Sequence, residues 1–192
     1  MNARCSISSA TEPERVLAFW RRAGPKRWFA VDPDFDSALR ENFATLHDEA
    51  ARGTLSSWEQ DAAGALALIL LTDQIPRNIF RHSAHAFATD EMARNIADRA
   101  IARGFDQATE PGLRLFFYLP FEHHEDAASQ ARAVALCEKL TAETGAKDWL
   151  DYARLHQGLI TRFGRFPHRN AVLGRISTPE ETAYLAEGGF AG

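Results

Sequence analysis

The chain has 192 residues, enough for one domain that buries roughly 70% of the surface its unfolded form exposes. Hydrophobic residues make up 45% and charged residues 25%, ordinary globular proportions that exclude the disordered, collagen-like and disulfide-scaffold classes. A formal net charge of -4 argues against whole-surface attraction to nucleic acid or anionic lipid, and the two cysteines, Cys5 and Cys137, suit a reducing cytoplasm.

Residues 1–10 carry no apolar segment or cleavage pattern of a secretory signal and are expected to form a loose tail, leaving 11–192 as a single all-helical domain. Thr11-Glu12-Pro13-Glu14 is a capping box, and Val16, Leu17, Phe19 and Trp20 give the first helix an apolar face before Gly24-Pro25 stops it. Asp32-Pro33 opens a second helix, with Phe35, Leu39, Phe43 and Leu46 at helical spacing up to Gly53. Ser56-Ser57-Trp58-Glu59 reads as the capping box of a central helix, because residues 62–71 are apolar all round. That run is about half of a membrane span of roughly 20 residues, so no bilayer crossing is expected.

The stretch Asp73-Gln74-Ile75-Pro76-Arg77-Asn78 is expected to end this helix, since proline removes a backbone donor and disfavours helix in the residue before it. Thr89-Asp90 caps a helix through Met92, Ile96 and Ile101 to Gly104. Residues 113–119 read as a short helix ended by Pro120, because a strand there would have no partner for its backbone groups. Helical patterns follow over 125–144 and 147–163, and Thr178-Pro179-Glu180-Glu181 opens a last one. About eight helices with short connections predict an all-α fold of antiparallel helical hairpins.

Two motifs are near-duplicates: Asp73-Gln74-Ile75-Pro76-Arg77-Asn78 and Gly164-Arg165-Phe166-Pro167-His168-Arg169-Asn170. With Phe117-Tyr118-Leu119-Pro120-Phe121-Glu122-His123 between them, the chain resembles a widespread, mainly bacterial family of uncharacterised proteins, a domain of unknown function. The resemblance is nearly full length and implies a tetratricopeptide-like helical array and the location of a site, without a reaction. His124 stands where the family pattern leads one to expect a small residue, and Ile75 where it has Phe. The consensus of a true tetratricopeptide repeat is not visible.

The candidate site is an anion pocket made by Arg77, Asn78 and Arg81 from one turn and Arg165, His168, Arg169 and Asn170 from the other. Arginine forks match carboxylate and phosphate geometry, asparagine adds neutral donors, and histidine adjusts its charge near neutrality. The alternative is structural: the arginines pair with Asp73, Glu122 or Glu125 and bond carbonyls at helix ends. Were the protein an enzyme, Glu122 with His123 or His168 would be its acid and base, with Arg77, Arg81 and Arg169 holding substrate. Glu122-His123-His124-Glu125, even with His82, His85 or Asp73, matches no recognised metal spacing, and no cofactor or metal is expected.

His156 lies among leucines and reads as a satisfied, partly buried histidine; Cys137 reads as a small apolar residue. Trp20, Trp28, Trp58 and Trp149 are not interleaved with basic residues, so they read as packing rather than a base-stacking platform, and nucleic acid is not an expected partner. The expected partner is a small phosphorylated or carboxylated molecule. The other reading is a helical scaffold that offers a groove to a peptide or protein.

Overall fold

The structure is a computed structural model that describes residues 11–191, so the expected N-terminal tail lies outside the described residues. Every regular element among them is helical. Helix α1 (Glu12–Ala23) opens on the expected capping box, with the Thr11 hydroxyl accepting from the Glu14 N–H and the Glu14 carboxylate accepting from the Thr11 N–H. The short α2 (Pro25–Trp28) follows, and Trp28 stacks on Trp20 with ring centroids 6.2 Å apart. Asp32 caps α3 (Pro33–Ala51) through the Phe35 N–H, and the expected apolar face of Phe35, Leu39, Phe43 and Leu46 is buried.

Helix α4 (Ala62–Ile69) is the centre of the fold, packed between α1 and α6 (Asp90–Ala102), with everything from Gly64 to Ile69 buried. Its cap is Asp61, which accepts from the Gly64 N–H at 2.9 Å, and not the serine box, which forms a separate 3-10 turn over Ser56–Gln60. The two segments press together so closely that a Cβ on Gly64 would stand 2.0 Å from the Trp58 carbonyl oxygen. That approach needs glycine, and it breaks the chain direction between Gln60 and Ala62.

The expectation that the first motif stops this helix is corrected. The chain passes through a wide π turn (Leu70–Gln74) directly into α5 (Ile75–Ile79). The π turn lets the Ile75 N–H reach back to the Leu70 carbonyl, so the register shifts before proline arrives. The Thr72 carbonyl, which has no donor four residues on because Pro76 lacks an N–H, accepts instead from the Thr89 hydroxyl at 2.6 Å. Arg40 of α3 donates to the Ile79 carbonyl at the end of α5.

Residues 111–122 are helical in pieces: α7 (Pro111–Arg114), a 3-10 turn over Leu115–Phe117 and α8 (Leu119–Glu122). Pro120 begins α8 rather than ending a helix, since in a first turn its missing N–H has no partner to lose. Helix α9 (Ala127–Thr144) starts slightly later than the pattern suggested, because Asp126 takes the cap and accepts from the Ser129 N–H at 2.8 Å. It is joined through 145–147 to α10 (Asp148–Phe163), and the two pack along each other as an antiparallel hairpin. Gly164, at φ 70°, ends α10 in the left-handed conformation expected of such a cap. The last predicted box is formed at Thr178 and Glu181, opening α11 (Pro179–Ala186).

A continuous apolar core runs from Val16 to Ala153, and a smaller one gathers Leu159, Ile160 and Phe166 beneath Phe163, Tyr184 and Phe190. Where these two cores meet, the buried side chains are polar and charged. Among the described residues no helix is long and apolar enough to cross a membrane.

Candidate functional site

The π turn places Asp73, with 0% of its surface exposed, against His123 at the end of α8. Nδ1 of His123 lies 2.9 Å from Oδ1 and 3.1 Å from Oδ2 of Asp73. Gln74 donates a further hydrogen bond to Oδ2 at 2.6 Å, and Arg77 Nη1 stands 3.3 Å from Oδ1. Burial alone would raise the Asp73 carboxyl, but Arg77, His123 and these hydrogen bonds outweigh it and hold it well below the usual carboxylate range. Burial, and then the positive Arg77, pull His123 below the ordinary imidazole value. The pair is therefore a carboxylate and a neutral imidazole. Because Asp73 only accepts, Nδ1 carries the proton and Nε2 keeps its lone pair, the orientation that a general base requires.

Arg77 is fully engaged. Both terminal nitrogens meet the Asp90 carboxylate at 2.9 Å, and Nη1 also donates to the Asp73 carbonyl. Asp90 sits at the start of α6, so this fork ties the turn after α4 to the helix beside it.

Arg169, in the 3-10 turn Pro167–Arg169 and 6% exposed, is differently placed. Its guanidinium carbon lies 4.5 Å from the ring centre of Phe166 and 4.7 Å from that of Phe87. Nη1 donates to the His123 carbonyl at 3.0 Å, while the nearest carboxylate, Asp90, is 3.6 Å away. Nε is buried with no acceptor, and Nη2 donates to nothing among the described residues. Burial, then the charge of Arg77, bring the guanidinium down to about 10.

Glu122, 3% exposed, is pushed up to about 8 by burial and then by the charge of Asp73, so it is an uncharged acid at neutral pH. Oε1 lies 3.0 Å from Nδ1 of His156, which also donates to the Tyr152 carbonyl at 2.8 Å. Burial lowers His156 to about 3 and His168 to about 4. Nδ1 of His168 is buried without a partner. The ring of Phe190 packs edge-on against both histidines, 4.9 Å from His156 and 5.3 Å from His168. Two carboxyl groups in one cluster, one ionised and one neutral, make an acid and a base available in the same place.

The remaining candidate residues of the two motifs face elsewhere. Asn78 and Arg81 both donate to Asp36 of α3, Asn78 at 2.8 Å. Arg165 forms a two-pronged pair with Glu181 of α11, and Asn170 donates to Glu181 at 3.1 Å and to Ser177 at 3.0 Å. The motifs thus contribute Asp73, Gln74, Arg77, His168 and Arg169 to one cluster, while Asn78, Arg165 and Asn170, with Arg81, clamp α3 and α11 in place. Glu125 does pair with an arginine, but with Arg175, accepting from both of its terminal nitrogens and also from the Phe166 N–H. Sequence reading missed Asp90, which passed for a helix-start acid; His156 is, as read, a buried histidine whose Nδ1 is satisfied by the Tyr152 carbonyl. Glu122 lies beside His156 only through the crossing of α8 and α10, which no local spacing announces.

The sequence model of the bacterial protein of unknown function DUF924 matches residues 16–189. A solved structure of a protein of unknown function from Agrobacterium tumefaciens is similar at 48% identity over 92% of this chain and 97% of that one, with a TM-score of 0.87. No curated protein matches the chain. An identity this high over nearly the whole length fixes the all-α fold, and with the family match the conclusion is direct: the chain belongs to the DUF924 family of bacterial proteins.

Proposed function

We propose that the protein binds a small phosphorylated or carboxylated molecule at Arg169, with the Asp73–His123 pair as a general base beside it. The observation that carries this reading is the incomplete pairing of Arg169. Arg169 is a buried cation whose nearest carboxylate, Asp90, stands at 3.6 Å, and one guanidinium edge has no protein acceptor among the described residues, an incomplete pairing that is costly in a buried site. An anionic ligand supplies that acceptor, in the two-pronged geometry for which a guanidinium is suited. Its position next to the His123 carbonyl brings the bound anion within the reach of an imidazole whose Nε2 is free among the described residues. The chemistry open to such a set is proton abstraction or water activation by His123, with Glu122 as the acid. The free, buried Cys137 supports a reducing cytoplasm as the place where this happens.

Thermal melting against a panel of phosphorylated and carboxylated metabolites tests the reading. A ligand at about 100 times its dissociation constant adds roughly 2.7 kcal/mol to stability. The wild type should show such a shift with one class of compound, and Arg169→Met should lose it while melting at or above the wild-type temperature. Arg81→Ala should keep the shift, because Arg81 serves α3. No shift with any compound, together with a strongly destabilised Arg169→Met, would move the assignment to the second reading, a tetratricopeptide-like helical scaffold for a peptide or protein partner. The clamps of Arg81 on Asp36 and of Arg165 on Glu181 favour that reading.

A further inference from the structure

A cavity of about 390 Å³ opens between the end of α6 and the loop after it, α7, Tyr118 and the second half of α9, and it shares no residue with the Arg169 cluster. Its volume is that of a small-molecule site, which runs roughly 300–1,000 Å³. Two basic residues, Arg114 and Lys139, and two acidic ones, Asp106 and Glu143, line it, so the formal charges of the wall cancel. Ile101, Leu136 and Leu140 supply an apolar side.

Two of the charged residues are buried and incompletely used. Asp106 is 3% exposed; its Oδ2 accepts from the Tyr118 hydroxyl at 2.9 Å and from Gln107 at 2.8 Å, while Oδ1 accepts nothing among the described residues. Arg114 is 5% exposed; it reaches Glu143 through Nη1 and the Thr109 carbonyl through Nη2, while its Nε has no acceptor. Among the described residues Arg114 keeps a buried Nε without an acceptor, and Asp106 keeps an Oδ1 with no donor, so each has capacity for a further partner.

A ligand of single charge would complete one and leave the wall unbalanced. A molecule carrying an ammonium and a carboxylate completes both at once and keeps the net charge at zero. We propose that this cavity binds a free α-amino acid with an aliphatic side chain, its carboxylate toward Arg114 and Lys139, its ammonium toward Asp106 and Glu143, and its side chain on Leu136 and Leu140.

The test is titration calorimetry of the full chain with L-leucine, N-acetyl-L-leucine and L-leucinamide, which carry both charges, only the anion and only the cation. Binding of L-leucine at least about tenfold tighter than of either derivative is expected, the loss that one charged hydrogen bond carries. Leu136→Trp, at a half-buried wall position, should abolish it by filling the space, and the exposed Lys139→Ala should weaken it, both with melting curves near the wild type. Equal binding of N-acetyl-L-leucine, binding untouched by Leu136→Trp, or no heat with L-leucine would each overturn the proposal.

Discussion

The Thr89 hydroxyl donates to the Thr72 carbonyl at 2.6 Å, and Thr72 is the residue whose helical partner would have been the missing N–H of Pro76. Thr89 occupies the N-cap position of α6, yet its side chain caps nothing in its own helix. It repairs another helix instead. Thr89→Val keeps the shape and removes this donor from a fully buried carbonyl, so it should cost about 1–3 kcal/mol in denaturant unfolding. Thr89→Ser should retain most of the stability, and an equal loss in both variants would show that the methyl group matters rather than the hydrogen bond.

Arg77 and Arg169 occupy matching places in two similar motifs, and the structure predicts opposite consequences for them. Arg77 neutralises Asp73 and Asp90 together, so Arg77→Ala deprives the fully buried Asp73 and the partly buried Asp90 of their shared cation and should cost about 3–5 kcal/mol. Arg169→Met removes a guanidinium that no carboxylate contacts closely and places an apolar chain between Phe87 and Phe166, so it should be neutral or stabilising. Parallel melts of the two variants decide this, and equal destabilisation would refute the distinction.

Local rules carried the reading where the cause was local. The boxes at Thr11 and Thr178, the Asp32 cap and the apolar surround of α4 are all visible within a few residues of sequence. They failed where a remote group intervened: Pro76 is tolerated because Thr89 lies beside Thr72, and Asp61 outranks the serine box because Gly64 lets Trp58 close in. The site divides the same way. The motifs advertised Arg77, His123 and Arg169, but which arginine is satisfied depends on Asp90 at the start of α6, whose carboxylate takes both terminal nitrogens of Arg77 and stands 3.6 Å from Arg169. Repetition in sequence therefore marked the right residues without revealing that their roles differ.

Gly64 carries a prediction unrelated to any ligand. With its Cβ position 2.0 Å from the Trp58 carbonyl oxygen, alanine cannot be accommodated unless backbone moves. Although alanine favours helix over glycine by about 1 kcal/mol, the overlap should dominate, and Gly64→Ala should destabilise by about 1–3 kcal/mol or more. A variant as stable as the wild type would mean that the Ser56–Gln60 turn yields easily.

The pH dependence of stability should be a dome with its top near pH 6.5. The folded Glu122 carboxyl, raised to about 8 from an ordinary 4.5, holds a proton that the unfolded chain releases, so its contribution falls as pH rises between those values. His156 and His168, lowered from 6.5 to about 3 and about 4, act in the opposite sense: the unfolded chain binds their protons first, and stability is lost as pH drops below 6.5. Between roughly pH 4.5 and 6.5 these two histidines, joined by His123, which burial and Arg77 also lower, outweigh the single carboxyl; well above 6.5 Glu122 dominates, with a slope of up to about 1.4 kcal/mol per pH unit. Glu122→Gln should therefore flatten the alkaline limb between pH 6.5 and 8 and leave the acid limb in place. Chemical denaturation of both proteins across that range measures it, and a wild type whose stability does not fall toward pH 8 would show that Glu122 is ionised in the folded protein and cannot serve as the acid.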